Sequence, residues 1–204
     1  MLKHLFAAAA LVIAAPALLA APAGAQAVIN QPAPAFTATD SKGRSHSLSD
    51  FRGRTVVLEW TNQYCPFVEK FYTDGDMQRL QADARKQGVV WLTVNSGAPG
   101  KQGHVTAAQA NDKMKREGFN ATAYLLDHNG TLGRSYGART TPHMFVIDPM
   151  GVLVYAGGID NVPSADPADI GRARNFVRLA LADIAAGNPV ATPTSRPYGC
   201  SVKY

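Results

Sequence analysis

Cysteine is nearly absent from this chain. Of 204 residues only Cys65 and Cys200 carry a thiol, so a disulfide-scaffolded fold is excluded and packing must build the core. Charge is sparse as well. Only 17% of residues are Asp, Glu, Lys or Arg, and the net charge of +5 is scattered over positions such as Lys113, Lys115, Arg116, Arg172 and Arg178. Without a basic block, no nucleic-acid partner is expected. Internal repeats and low-complexity tracts are missing too, which leaves one ordinary globular domain with a real core. No Cys-x-x-x-Cys or His-x-x-x-His spacing occurs, so no metal site is expected on spacing grounds, and no cofactor is expected.

Long apolar runs are limited to one. Leu5 to Ala21 is almost wholly Ala, Leu, Val and Ile, but Pro16 interrupts it and Pro22 follows it. Ala23-Gly24-Ala25 and Ala25-Gln26-Ala27 then fit a small-x-small cleavage site. The expected organisation is a cleaved signal peptide over 1–27, a domain over 28–188 and an extended Pro-rich tail over 189–204 that carries Cys200. The mature chain is expected to be soluble in the periplasm, without a membrane span, in a space where cysteine pairs persist.

The body of the chain alternates between two periodicities. TVVLEW (55–60), VVWLTVNS (89–96) and TAYLLD (122–127) are short, β-branched-rich runs that read as buried strands. Helical spacing begins at Pro66 and continues through 76–88, recurs over 106–118, and returns in a long final helix over 166–187 with Ile170, Phe176, Val177, Leu179, Leu181 and Ile184 as its buried stripe. HMFVID and VLVYAGG flank Pro149-Met150-Gly151 as a hairpin. Strands alternating with helices imply parallel pairs, and the hairpin adds antiparallel ones. The expected fold is a three-layer α/β domain with a mixed sheet and helices on both faces.

Cys65 falls where the first buried strand ends and a helix begins. A sulfur there faces unpaired backbone N–H groups and the positive end of the helix dipole, both of which favour the thiolate. Thiolate is the attacking species in thiol–disulfide exchange. The competing reading is an inert buried cysteine. Cys200 follows Gly199 in a tail that reads as flexible.

The stretch QPAPAFTATDSKGRSHSLSDFRGRTVVLEWTNQYCPFVEKFY, together with TTPHMFVIDPMGVLVYAGGID, resembles the thioredoxin-fold redoxins, a group that includes exported thiol–disulfide oxidoreductases and the alkyl hydroperoxide reductase/thiol-specific antioxidant proteins. Within them it is similar to a subgroup with a lone Cys-Pro-Phe-Val motif and a Gly-Cys-Ser-Val-Lys-Tyr tail. The resemblance implies a thioredoxin-like fold and a thiol-dependent oxidoreductase. It makes Cys65 the nucleophile of a Cys-x-x-Cys motif whose second position is Val68. It makes Glu59 the buried carboxylate beneath the site, able to exchange a proton with the sulfur, although a solvent-facing strand residue is the alternative. It makes Thr141-Pro142 the cis-proline loop, which with Pro66 and Phe67 would receive a substrate chain as an added strand.

Without a second cysteine in the motif, Cys200 is the candidate resolving thiol. A static Cys65–Cys200 bond and a pairing of Cys200 with another molecule remain open. Closing so long a loop would restrict the unfolded chain by about 5 kcal/mol. The implied partners are protein thiols and disulfides or small peroxides, with a separate thiol reductant upstream. Two other functions compete. A thiol peroxidase would carry threonine three residues before the nucleophile, where this chain has Asn62, with Thr61 one place off. A copper carrier could use Cys65, Cys200, His143 and Met144 as a soft set for Cu(I).

Overall fold

The computed structural model describes residues 26–204. The leader expected over 1–27 therefore lies outside the described residues, apart from its last two positions. Among the described residues no helix is long and apolar enough to cross a membrane.

A short antiparallel ribbon, β1 (Thr37–Thr39) and β2 (Ser45–Ser47), opens the domain. The main sheet has β3 (Val56–Trp60) at its centre. Strand β4 (Val90–Asn95) pairs parallel to it, and β5 (Ala123–Leu126) pairs parallel to β4. On the other side β7 (His143–Ile147) runs antiparallel to β3, and β8 (Leu153–Gly157) antiparallel to β7. The spatial order is β5-β4-β3-β7-β8. This is the mixed sheet expected from the element order, because helical crossovers give parallel neighbours and a tight turn gives antiparallel ones.

The helices are α1 (Pro66–Thr73), α2 (Asp76–Lys86), α3 (Ala107–Arg116), α4 (Thr131–Tyr136) and α5 (Phe176–Ala185). Side chains alternate across each strand, so the sheet feeds two cores. Val57, Trp91, Met144 and Val146 pack with α1, α2 and α5 on one face. Val56, Leu58, Trp60, Leu92 and Phe145 pack with α4 and the 33–51 segment on the other. Helix α3 packs through Ala110 on Tyr124 of β5. A two-stranded ribbon lies outside the main sheet: β6 (Thr140–Thr141) pairs antiparallel with β9 (Cys200–Ser201).

Two expected helices are broken. The first ends at Thr73, and α2 starts afresh after Gly75, whose φ of 79° lies in the left-handed region. The final helix of 166–187 is a 3-10 segment over Pro167–Arg172 followed by α5. Asn175 causes that break, because its side chain accepts from Arg178 N and starts a new helix. The restart changes the phase of the buried stripe. Phe176, Val177 and Leu181 stay buried, while Leu179 is 40% exposed. Gly75→Ala should cost about 1–2 kcal/mol, since an L side chain is strained in that region. Urea denaturation should show the loss as a lower midpoint at unchanged slope.

Candidate functional site

Cys65 is the residue that caps α1. Its φ and ψ of −97° and 115° are extended, Pro66 occupies the first helical position, and its carbonyl accepts from Val68 N and Glu69 N. Proline fits there because the first turn leaves its N–H groups unpaired anyway. The cysteine thus stands beyond the carboxyl end of the central strand, where open α/β sheets form their crevices. It is 1% exposed, although its neighbours Tyr64 and Pro66 are exposed.

Strand register brings the second component. Trp60, the last residue of β3, lies opposite His143, the first of β7. The chain entering β7 must therefore cross the end of β3 beside Cys65. That chain is Thr141-Pro142, joined by a cis peptide bond. The Cys65 thiol donates to the Thr141 carbonyl at 3.1 Å.

The third component is the tail. It was expected to be flexible; instead each end of it is anchored. Tyr198 donates to Asp160 Oδ1 at 2.5 Å and meets Phe67 edge-on at 5.9 Å. Tyr204 donates to Ala138 O at 2.6 Å and lies under the Arg134 guanidinium. Ala98 N donates to Lys203 O, and Val202 N to Arg139 O. Between these anchors Thr141 and Cys200 are partners in the β6–β9 ribbon. Gly199, with φ of 125°, presses on the Thr141 carbonyl so closely that a Cβ would collide with it. Glycine there supplies fit rather than freedom. The two thiols, far apart in sequence and both unbridged, thus converge on Thr141: Cys65 donates to its carbonyl, and Cys200 is its strand partner. Burial first, and the neighbouring Cys65 next, push the Cys200 thiol up to about 12.

Glu59 is fully buried on β3, which removes the solvent-facing alternative. Its carboxyl accepts from Tyr72 Oη at 2.6 Å, Trp91 Nε1 at 2.7 Å, Gln81 Nε2 at 3.0 Å and Thr93 Oγ1 at 3.3 Å. Burial raises its pKa above the ordinary 4.5, against hydrogen bonds that favour the anion. Phe67 is half-buried beneath Tyr198. The tail thus covers the Phe67 and Thr141 positions that sequence reasoning assigned to an incoming chain.

His143 serves the loop. Its Nδ1 accepts from Arg139 N at 3.2 Å, and its ring packs on Phe145 with centroids 4.4 Å apart. Burial, assisted by Arg139, lowers it to about 3, so the imidazole is neutral. Met144 is wholly buried in the core. The copper set expected from sequence is therefore divided between the thiol pair and two packing residues. Asn62 spends its amide on Gln102 Oε1 and its Oδ1 on Tyr64 N, and offers no hydroxyl to a peroxide. The residues that sequence reasoning missed are Asp160, Lys70 and Tyr198. No local motif marks them, since they meet only through the return of the tail.

Residues 29–156 match the AhpC/TSA family, well over half of the chain. The chain belongs to the AhpC/TSA family. Its fold agrees with solved structures. A conserved protein from Geobacillus kaustophilus superposes with a TM-score of 0.74 at 24% identity, over 87% of this chain and 92% of that one. The thioredoxin domain of a thiol-disulfide oxidoreductase from Bacteroides vulgatus gives 0.51 at 19% identity, over 71% of this chain and 96% of that one. Among curated proteins, the thiol-disulfide oxidoreductase ResA of Geobacillus thermodenitrificans is 31% identical over 124 residues. That match spans 60% of this chain and 65% of the relative's length. Cys65 and Thr141-Pro142 fall inside the segment shared with the AhpC/TSA family; Cys200 and its tail fall outside it.

Two measurements test the supports of this site. Glu59→Gln turns an acceptor into a donor facing donors, and should cost about 1–3 kcal/mol in urea denaturation at neutral pH. The unfolded chain takes up a proton at His143 near pH 6.5, whereas the folded chain refuses it down to about 3. Stability from this group is thus full above 6.5 and lost as pH falls, by about 2.5 kcal/mol between pH 6 and 4. His143→Asn keeps an acceptor for Arg139 N and should remove that part of the slope in denaturation series.

Proposed function

We propose that this protein is a periplasmic thiol–disulfide oxidoreductase acting on protein thiols and disulfides, with Cys65 as nucleophile and Cys200 as resolving cysteine. The observation that carries the reading is the convergence of the two thiols on Thr141, through a strand that the tail itself contributes. The likeness to a named thiol-disulfide oxidoreductase supports the reaction class, and the leader expected from the sequence supports the location.

In the reducing direction the Cys65 thiolate attacks one sulfur of a substrate disulfide. The other substrate sulfur leaves with the electron pair and takes a proton. Cys200, as thiolate, then attacks the Cys65 sulfur of the mixed disulfide and releases the second substrate thiolate. The substrate gains two electrons, and the protein is left with a Cys65–Cys200 bond for an external dithiol to reduce. Reversal of the same steps oxidises a dithiol.

The environment orders these steps. Burial first, then the neighbouring Cys65, hold Cys200 as a thiol. Once Cys65 sits in a mixed disulfide, the influence of its ionisable thiol is gone. Cys200 then ionises more readily, at the moment when its attack is required. The exposed Tyr64 and Pro66 offer a partner chain an apolar rim beside the buried sulfur. Glu59, on the α1–α2 face of the sheet with Cys65, is assigned the proton-exchanging role in this reading. Asn62, in the place of a peroxidase threonine, disfavours peroxide as substrate.

Quantitative thiol alkylation with mass spectrometry, before and after mild reduction, tests the reading. The oxidised protein should hold one intramolecular Cys65–Cys200 bond that dithiothreitol opens without unfolding. It should also reduce a protein disulfide catalytically, and Cys65→Ser should abolish this. Cys200→Ser should stall at the mixed disulfide. Two free thiols after oxidation would remove the resolving role. A large drop in melting temperature on reduction would make the bond a structural pin instead.

A further inference from the structure

A two-residue strand cannot choose its own register. The β6–β9 ribbon has only two residue pairs, Thr140 with Ser201 and Thr141 with Cys200. A slip by one residue would turn Cys200 to the opposite side. Something beyond the ribbon must set the tail.

The structure contains such a device in a buried charge chain that the two-thiol chemistry does not use. Lys70 of α1 and Asp160, in the loop after β8, have side chains 0% and 2% exposed, with Nζ 3.6 Å from Oδ2. Lys70 also donates to Val162 O at 3.1 Å. Asp160 Oδ2 has no hydrogen-bond partner among the described residues, so Lys70 alone compensates it. Asp160 Oδ1 receives Val162 N and the Tyr198 hydroxyl. The Tyr198 ring meets Phe67, and Lys70 Nζ lies 5.8 Å from its centroid. Tyr198 and Cys200 pack against the same core face as Cys65. Only Gly199, in a bend with φ of 125°, separates Tyr198 from Cys200, so fixing Tyr198 limits where Cys200 can lie and keeps it on the face of Cys65.

We propose that Asp160, held by Lys70, is the positioning residue for Cys200: it fixes Tyr198, and through Tyr198 it seats the tail strand on Thr140–Thr141. The inference rests on the resolving role given to Cys200 above and adds a second consequence. The seated strand occupies the edge where an incoming polypeptide would pair, and it helps keep Cys65 covered. The latch thus governs both intramolecular closure and access. Burial makes Asp160 effective. A charged acceptor deprived of water holds a hydroxyl more firmly than an exposed one would, provided its own charge is matched.

The test uses the full-length protein with Tyr198→Phe, which removes only the hydroxyl, and Asp160→Asn, each in wild-type and Cys200→Ser backgrounds. Reduced protein is mixed with oxidised glutathione, quenched by alkylation, and the Cys65–Cys200 bond is followed by mass spectrometry. Closure should slow by about tenfold in both variants. In the Cys200→Ser background, alkylation of Cys65 should accelerate by a similar factor. Tyr198→Phe keeps the aromatic contact with Phe67, so its melting temperature should stay near the wild-type value. Wild-type rates of closure and of labelling in Tyr198→Phe would overturn the proposal, whatever Asp160→Asn does to folding. If the wild-type protein never forms the bond, the resolving role fails, and the latch stands or falls on whether Tyr198→Phe exposes Cys65.

Discussion

The Thr141 carbonyl is the point on which the site depends. The Cys65 thiol donates to it, Gly199 is pressed against it, and Thr141 is the strand partner of Cys200. None of these contacts is local in sequence. They exist because β7 runs antiparallel to β3 with His143 opposite Trp60, which carries the preceding loop across the end of the central strand. A one-residue shift in that pairing would reverse every side chain of β7 between the two cores. Met144 and Phe145 are both fully buried, on opposite faces, so the cores themselves hold the register. Packing far from the sulfur therefore determines where the sulfur finds its acceptor.

Beneath the site the protein accepts electrostatic cost in two places and compensates it differently. Glu59 is wholly buried and is met by four donors from α1, α2 and β4. Lys70 and Asp160 are buried as opposite charges. Burying a lone ion costs several kcal/mol, and a matched pair offsets it only with good geometry and further hydrogen bonds. A Lys70–Asp160 pair at 3.6 Å with one unsatisfied oxygen is a weak source of stability. Its value lies in direction: it aims one hydroxyl, that of Tyr198, at one place.

The sheet and its helices were legible because hydrophobic period and turn chemistry are local. The three buried strands, the hairpin and Cys65 at a strand-to-helix junction all follow from them. The two broken helices were not legible. Gly75 and Asn175 stop a helix through left-handed backbone and side-chain capping, and both residues also occur where helices continue. At the site, the place of Cys65 at the start of α1 and the cis-proline loop could be read from motif resemblance. The rigidity of the tail could not, because Pro, Gly and Ser describe a flexible segment as well as one held by distant partners. Tyr198 and Tyr204 were the available signal, since aromatic residues in a tail need a surface to cover them.

The tail also changes what a missing second cysteine means. With Val68 in place of a local resolving thiol, a mixed disulfide at Cys65 would have to await a second molecule. In the proposed reaction Cys200 removes that wait, because it stands beside Cys65 at an effective concentration that no free thiol reaches. The arrangement has a structural cost in access, since the strand that presents Cys200 lies on the edge a substrate chain would use. Under the proposed function, a substrate with a long extended segment would have to compete with β9 for Thr140–Thr141, whereas a compact disulfide carried on a narrow loop would need only to reach Cys65 past Tyr64 and Pro66. In the proposed reaction, the firmness with which Tyr198 holds the tail would set the balance between fast resolution and broad substrate entry.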